Sequence, residues 1–279
     1  MQLGIFAKTF DGATPLDCLS QASGAGYMGV QYNMACSGLA AMPDRISVED
    51  AIGIALAAQT CGMQIAAVSG TYNMIHPDTA VREKGHVRLA VMASRCKAMA
   101  APMITLCTGT RDPDDQWRAH PENATPDAWR ELLRSMEIAI EIAERWDILL
   151  GIEPELANVI NSAAKADRLL REVNSRRLKI VLDPANLFEQ STLMEQHSLV
   201  SAAIDLLGEH LAMCHAKDRA KDGSFCAAGK GIVDFAHYVG CLKAAGFDGP
   251  LVTHGLSAEE APHVAAFLRS TLIAAGVDV

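Results

Sequence analysis

ILLGIE at 148–153, KIVLD at 179–183, LAMCH at 211–215 and PLVTH at 250–254 are four short apolar segments. Each ends in a side chain that can bind a metal ion: Glu153, Asp183, His215 and His254. Short apolar runs bounded by polar residues are typical of buried strands. Their last residues follow one another at intervals of 30, 32 and 39 positions, which leaves room for a helix and two loops between strands. This repeat predicts a parallel barrel.

Working outward from these segments, eight strand-like segments alternate with eight helical ones. The predicted strands are Leu3–Ala7, Gly29–Tyr32, Gln64–Val68, Met103–Cys107, Leu149–Glu153, Ile180–Asp183, Leu211–His215 and Leu251–Thr253. Apolar residues at three- and four-residue spacing predict helices near 14–25, 48–62, 78–101, 126–146, 162–174, 194–208, 233–245 and 257–275. Alternation implies a parallel sheet, and eight repeats imply closure. We therefore predict one α/β domain over residues 1–279, a (β/α)8 TIM barrel.

Capping residues support two of these helix boundaries. Thr125 precedes Pro126, which places an N-cap hydroxyl before a proline at the first helical position. Ser257 and Glu260 have the spacing of a capping box, which predicts that the last helix begins at Ser257.

Composition excludes several classes of function. The chain of 279 residues is 50% hydrophobic, enough for one large core, and its net charge of −9 argues against binding nucleic acid. We find neither a secretion signal nor an apolar run of about 20 residues that would span a membrane. The 8 cysteines are scattered and contain no CxxC pair, as expected of reduced thiols. We therefore expect a cytoplasmic protein with a small polar substrate.

The strand ends predict a metal site. The C-terminal ends of barrel strands meet at one face, so Glu153, Asp183 and His215 should converge there. Each residue alone could simply cap its strand or form a salt bridge, but three matching strand ends favour metal binding. Two carboxylates with an imidazole suit Mn²⁺, Co²⁺, Zn²⁺ or Fe²⁺, and suit Mg²⁺ less well.

Longer motifs carry a resemblance to a known family. They are GIEPE at 151–155, LDPANL at 182–187, CHAKD at 214–218, GKGIVDF at 229–235 and AAGFDGPL at 244–251. By these motifs the whole chain resembles the xylose-isomerase-like TIM-barrel superfamily, which holds sugar isomerases, ketose 3-epimerases, inosose dehydratases and the endonuclease IV group. The resemblance implies that Glu153, Asp183 and His215 bind a divalent metal.

Strand eight departs from the family pattern. Members with isomerase or epimerase activity usually carry a glutamate there, as a ligand and second catalytic base, whereas this chain has His254. An imidazole can replace the ligand, act as a base with a pKa near 6.5, or be a hydrogen-bonded core histidine. Its strand-end position favours a role in the site. We expect Glu153 to serve one face of the substrate as a base and His254, or else Glu155, the other.

Three further side chains near these strand ends are candidates for substrate binding. Glu155 either contacts substrate or orients a ligand. Asn186 stands where related enzymes often carry a substrate-contacting histidine, and its amide cannot exchange protons. Lys217 lies two residues after His215, on the same side of an extended strand, and either reaches a substrate oxygen or pairs with Asp218 or Asp222.

Polar residues also follow strands three and four. His76 is expected to line the site, and Arg111 either holds a carboxylate or phosphate of the substrate or forms a salt bridge to Asp112 or Asp114. The charged, proline-interrupted segment 112–123 has the length of a lid that could close Trp117 over a sugar ring. A solvated surface loop or an oligomer contact is the alternative.

The leading prediction is a divalent-metal-dependent isomerase or epimerase that acts on a sugar, sugar acid or related ketose through a metal-stabilised enediolate. A dehydratase would use the same enolate, and a non-catalytic sugar-binding barrel would fit the missing strand-eight glutamate. A metal-dependent endonuclease is disfavoured, because it needs more ligands than we can assign and because the chain is acidic. The expected partner is a small carbohydrate, and the resemblance leaves a homo-oligomer open.

Overall fold

A computed structural model describes residues 1–278 and contains the predicted barrel. Its eight strands are β1 Gln2–Phe6, β2 Gly29–Tyr32, β3 Gln64–Ser69, β4 Met103–Leu106, β5 Leu149–Ile152, β6 Leu178–Leu182, β7 Leu211–Ala216 and β8 Pro250–Thr253. All neighbouring pairs are parallel, and β1 pairs with both β2 and β8. The sheet is therefore closed, and the (β/α)8 prediction is confirmed.

Eight helices alternate with the strands in the predicted order. They are α1 Pro15–Gly24, α2 Val48–Thr60, α3 Thr79–Cys96, α4 Pro126–Trp146, α5 Ala163–Val173, α6 Leu193–Leu207, α7 Phe235–Ala244 and α8 Ala261–Ala274. The Thr125 side chain accepts a hydrogen bond from Ala128 N, so α4 begins as predicted. Within residues 1–278, none of the helices combines the length and apolar character needed to cross a membrane.

The predicted start of the last helix is wrong by four residues. Ser257 and Glu260 do exchange hydrogen bonds, at 2.8 Å from Ser257 N to Glu260 Oε2 and 3.4 Å from Glu260 N to Ser257 Oγ. They close a turn, however, and α8 begins only at Ala261. The reason is Pro262, which lacks the N–H that a helix interior requires and is tolerated only in the first turn.

The barrel interior holds an apolar layer of its own, separate from the large core between sheet and helices. It consists of Ala66, Ala67, Met103, Val181, Met213 and Val252. Gly151 on β5 belongs to the same layer, because a Cβ there would lie 2.8 Å from Val181 Cγ2 and 2.9 Å from Met103 Sδ. Side chains two residues further along each strand point to the same side. The next inward layer therefore lies at the C-terminal mouth of the barrel.

Candidate metal centre

Four predicted side chains form that next layer. Glu153, Asp183, His215 and His254 each stand two residues after a member of the apolar layer, at Gly151, Val181, Met213 and Val252. One ligand atom from each lies within 4.8 Å of the others. The pleat of four adjacent strands therefore aims two carboxylates and two imidazoles at one point.

The spacing of these atoms suits a single ion. His215 Nδ1 lies 3.1 Å from Glu153 Oε1 and 4.0 Å from Asp183 Oδ2, and His254 Nε2 lies 3.3 Å from Asp183 Oδ2. Ligands about 2.1 Å from one ion stand about 3.0 to 3.4 Å apart when adjacent, and about 4.2 Å apart when opposite in an octahedron. The four residues therefore fit a divalent metal.

The charges of the site point the same way. The Asp183 side chain is fully buried, which opposes ionisation, yet Lys217 Nζ lies only 3.2 Å from Asp183 Oδ2. Lys217 and the two histidines hold the pKa of Asp183 well below its usual range. Glu153, Glu155 and Asp183, when ionised, carry three negative charges against the positive charges of Lys217 and Arg219. The carboxylates remain in excess, which favours a bound cation.

Glu155 is the carboxyl group in this cluster that holds its proton most tightly. Burial, reinforced by the neighbouring charge of Glu153, raises the pKa of Glu155 to about 8. A cation bound beside it would stabilise the ionised form and lower that pKa. The proton on Glu155 therefore depends on whether the centre is loaded.

Asn186 and Lys217 tie the two carboxylates together. Asn186 Nδ2 donates to Glu153 Oε1 at 2.8 Å, and Asn186 Oδ1 accepts from Lys217 Nζ at 3.3 Å. Lys217 pairs with Asp183 rather than with Asp218 or Asp222, because it is the next inward residue of its strand after His215. Both side chains therefore lie beside the cluster.

Gln31 is a residue of the site that the sequence reasoning missed. His215 Nε2 lies 2.8 Å from Gln31 Oε1, and Gln31 Nε2 donates to Thr105 Oγ1 at 3.0 Å. Because an amide oxygen can only accept, His215 Nε2 carries the proton and Nδ1 keeps its lone pair for the centre. The available signal was a glutamine inside the buried strand GVQY.

A cavity of about 650 Å³ opens above the cluster. Its lining includes three predicted substrate-binding residues, Glu155, Asn186 and Lys217. It also includes residues that the sequence reasoning left without a role, among them Arg219 and Phe225 after β7. The centre therefore faces a space in which a small molecule can reach it.

The sequence profile of one family, the xylose isomerase-like TIM barrel, matches residues 19–271. The chain belongs to this family. No curated protein matches it in sequence.

Solved structures of similar shape include several sugar epimerases. The 3-keto-D-glucoside 4-epimerase from E. coli superimposes with a TM-score of 0.77 at 17% identity, covering 97% of this chain and 99% of that one. A D-psicose 3-epimerase from Clostridium cellulolyticum gives 0.76 at 16% identity, covering 98% and 99%. An L-ribulose 3-epimerase gives 0.77 at 16% identity, covering 99% and 95%. At this identity the likeness shows the shared fold.

In this xylose isomerase-like barrel, Arg111 and His76 lie away from the cavity. Arg111 Nη1 forms an ion pair with Glu131 Oε2 at 2.7 Å, instead of pairing with Asp112 or Asp114 or facing the cavity. His76 Nε2 lies 2.9 Å from Pro113 O, and its Nδ1 accepts from Asp78 N at 3.0 Å. His76 is held by the loops that follow β3 and β4, and Arg111 is held by Glu131 of α4, so the structure does not support the expected contacts with substrate.

The segment 112–123 does reach the cavity of this family member. Asp112 Oδ1 accepts hydrogen bonds from Asp114 N and Asp115 N, both at 2.9 Å, and folds the start of the segment into a turn. Trp117 follows and lines the cavity. The position is that expected of a lid, whose closure stays a prediction.

Proposed function

We propose that the chain is a divalent-metal-dependent isomerase or epimerase of a sugar, sugar acid or related ketose. The observation that carries this proposal is the convergence of two carboxylates and two imidazoles within 4.8 Å at the base of a cavity. The solved epimerases of similar fold support it, since each acts on a sugar according to its name.

Glu153, Asp183, His215 and His254 would hold the ion. Two nitrogen donors beside two oxygen donors favour Mn²⁺, Co²⁺ or Zn²⁺ over Mg²⁺. When bound, such an ion acts as a Lewis acid on a carbonyl and its neighbouring hydroxyl, which makes the adjacent C–H bond more acidic.

Proton transfer would fall to Glu153 and His254. They stand at the ends of β5 and β8, three strands apart around the barrel, so they approach a bound sugar from different directions. Burial and the neighbouring His215 lower the pKa of His254, so the imidazole is neutral near pH 7. Its Nε2 either binds the ion or stands off it and accepts the proton; in the first case Glu155 takes the second proton-transfer role. An epimerase needs one group to remove a proton and another to return one to the opposite face.

The remaining residues of the cavity floor would position the substrate. Lys217 and Asn186 present a charged donor and an amide next to the centre, and both are held in place by Asp183 and Glu153. Glu155 supplies a carboxyl group that accepts hydrogen bonds from substrate hydroxyls when ionised and donates one when protonated. Together they offer hydrogen bonds to several adjacent hydroxyl or carbonyl oxygens, the pattern that a sugar presents.

The test combines metal analysis with exchange of substrate protons in D₂O. Purified protein loaded with Mn²⁺, Co²⁺ or Zn²⁺ is incubated with a panel of ketoses and sugar acids, and deuterium incorporation is followed by proton NMR. We expect metal-dependent incorporation at the carbon next to the carbonyl of at least one compound. Tight binding without exchange would favour a non-catalytic barrel, and a product that lacks one water would favour a dehydratase.

A further inference from the structure

A second cluster of metal-binding side chains lies on the outside of the barrel, between α6 and α7. Helix α7 carries His237 and Cys241, four positions apart, and α6 carries His197 and Ser201 at the same spacing. Residues four positions apart lie on one face of a helix. The two helices therefore bring two imidazoles, a thiol and a hydroxyl together, and none of these groups belongs to the barrel mouth.

His237 Nε2 lies at the centre of this cluster. Ser201 Oγ is 3.1 Å, His197 O is 3.3 Å and Cys241 Sγ is 3.5 Å from it. Ser201 Oγ also lies 3.6 Å from Cys241 Sγ. A neutral imidazole nitrogen either donates one hydrogen bond or accepts one. A hydrogen bond through this nitrogen therefore satisfies only one of its three polar neighbours.

The distances match those between the ligands of one tetrahedral ion. Nitrogen and oxygen ligands about 2.0 to 2.1 Å from Zn²⁺, and a sulfur ligand about 2.3 Å from it, stand about 3.3 to 3.6 Å apart. His237 Nε2, Cys241 Sγ and Ser201 Oγ form a triangle with sides of 3.1, 3.5 and 3.6 Å. These three atoms fit three positions of such an ion, and solvent would take the fourth.

The His237 ring is held in place from two sides. The His197 ring stacks on it, with ring centres 3.9 Å apart and planes inclined by 15°. His197 Nε2 in turn donates to Asp234 Oδ2 at 2.8 Å, and Asp234 Oδ1 caps α7 by accepting from His237 N at 3.0 Å. Partners of this kind orient a ligating histidine and are needed for tight binding.

The donor atoms distinguish this cluster from the centre at the barrel mouth. A thiolate beside an imidazole favours Zn²⁺ over Mg²⁺ and Mn²⁺, whereas the barrel-mouth centre consists of two carboxylates and two imidazoles. Cys241 is half-buried, so an ion from solvent has access to it. The two sites are therefore separable by the chemistry of the bound ion.

We propose that His237, Cys241 and Ser201 form a second metal site, specific for Zn²⁺, that links α6 to α7. Cys241 binds as the thiolate, and its proton passes to solvent when the ion enters. Because the ligands come from two helices of the folded chain, Zn²⁺ should also raise the temperature of unfolding. The site goes beyond the proposed function and does not depend on it.

The test is a titration of the reduced, metal-free protein with Co²⁺, which adopts the ligands of Zn²⁺ and reports them by its absorption. A bond from thiolate to Co²⁺ gives a charge-transfer absorption in the near ultraviolet, which carboxylate and imidazole ligands do not give. We expect Co²⁺ to produce this absorption and Zn²⁺ to abolish it by displacement. Thermal unfolding with and without Zn²⁺ provides the second measurement.

Three variants assign the absorption to its ligands. Cys241→Ser should abolish it, and His237→Ala should weaken Co²⁺ binding at this site more than about 100-fold. Cys61→Ser is the matched control, because it removes another half-buried thiol beside a serine, with Cys61 Sγ 3.4 Å from Ser20 Oγ. In that variant the absorption and the effect of Zn²⁺ on unfolding should equal those of the parent chain.

The outcomes separate this site from the barrel-mouth centre. A parent chain that gives no charge-transfer absorption with Co²⁺, or an absorption that survives Cys241→Ser, would overturn the second site while leaving the proposed function intact. If the absorption depends on Cys241 and His237 but no sugar exchanges a proton, the second site stands and the proposed function fails.

Discussion

The two halves of the barrel mouth use their polar residues in different ways. At the ends of β5 to β8, Glu153, Asp183, His215 and His254 converge within 4.8 Å. In the loops after β3 and β4, His76 and Arg111 bind Pro113 and Glu131 instead of facing the cavity.

The difference lies in how far each residue stands from its strand. The four converging residues lie inside a strand or directly after it, so the pleat sets their direction. Arg111 stands five residues and His76 seven residues beyond the last strand residue. Over that distance the chain turns, so His76 meets backbone groups of the loops and Arg111 meets Glu131 of α4 instead of the cavity. A strand therefore fixes the direction of the side chains at its end, whereas a loop does not.

The largest effect should follow from removing one of the four residues that converge at the ends of β5 to β8. His215→Ala deletes a ligand whose Nδ1 lies within 4.0 Å of both Glu153 and Asp183, so we expect metal affinity to fall more than about 100-fold. Metal content after dialysis and competition with a chelator measure it, and far-UV circular dichroism checks the fold. A variant that still binds one full equivalent of metal would show that His215 is not a ligand.

His254→Gln tests the residue that departs from the family pattern. Because the amide cannot exchange a proton, we expect turnover of an exchanging substrate to fall by about 10²- to 10⁴-fold. Metal affinity measured in parallel separates loss of a ligand from loss of a base. Unchanged metal content together with unchanged turnover would remove His254 from the site.

Gln31 contacts one of the four converging residues, His215. Gln31→Leu leaves His215 Nε2 without its acceptor, and we expect metal affinity to fall about 10- to 100-fold. Gln31→Glu keeps an acceptor and should restore binding, and Gln64→Leu, at an exposed position of β3, serves as the matched control. If the leucine variant binds metal as tightly as the parent chain, Gln31 does not position His215.

Arg111 tests the loops after β3 and β4, and its substitution should give the smallest effect of the four. Arg111→Met removes an ion pair to Glu131 that is largely shielded from solvent, so we expect the free energy of unfolding to drop by about 1 to 2 kcal/mol. Urea denaturation measures this loss. Metal affinity should stay that of the parent chain, and a loss of metal or of substrate binding would mean that the loops contribute to the site after all.

Much of the mouth of the barrel followed from local pattern. Short apolar runs that each end in a carboxylate or an imidazole already place Glu153, Asp183 and His215 at the face where the strand ends meet. The start of α8 was predicted wrongly, because the Ser257–Glu260 pattern forms a turn and Pro262 delays the helix. Here two local signals competed, and the covalent constraint of proline prevailed.

By itself, the sequence determined the closed barrel and the four residues that its strand ends present, because strand periodicity and chain order act at short range. Only the tertiary structure decided which neighbours these residues acquire. Gln31 reaches His215 across 184 positions of sequence, and Trp117 and Phe225 meet the same cavity from loops three strands apart. Such contacts depend on closure of the barrel, which brings distant segments together, and no local pattern encodes which side chains then meet.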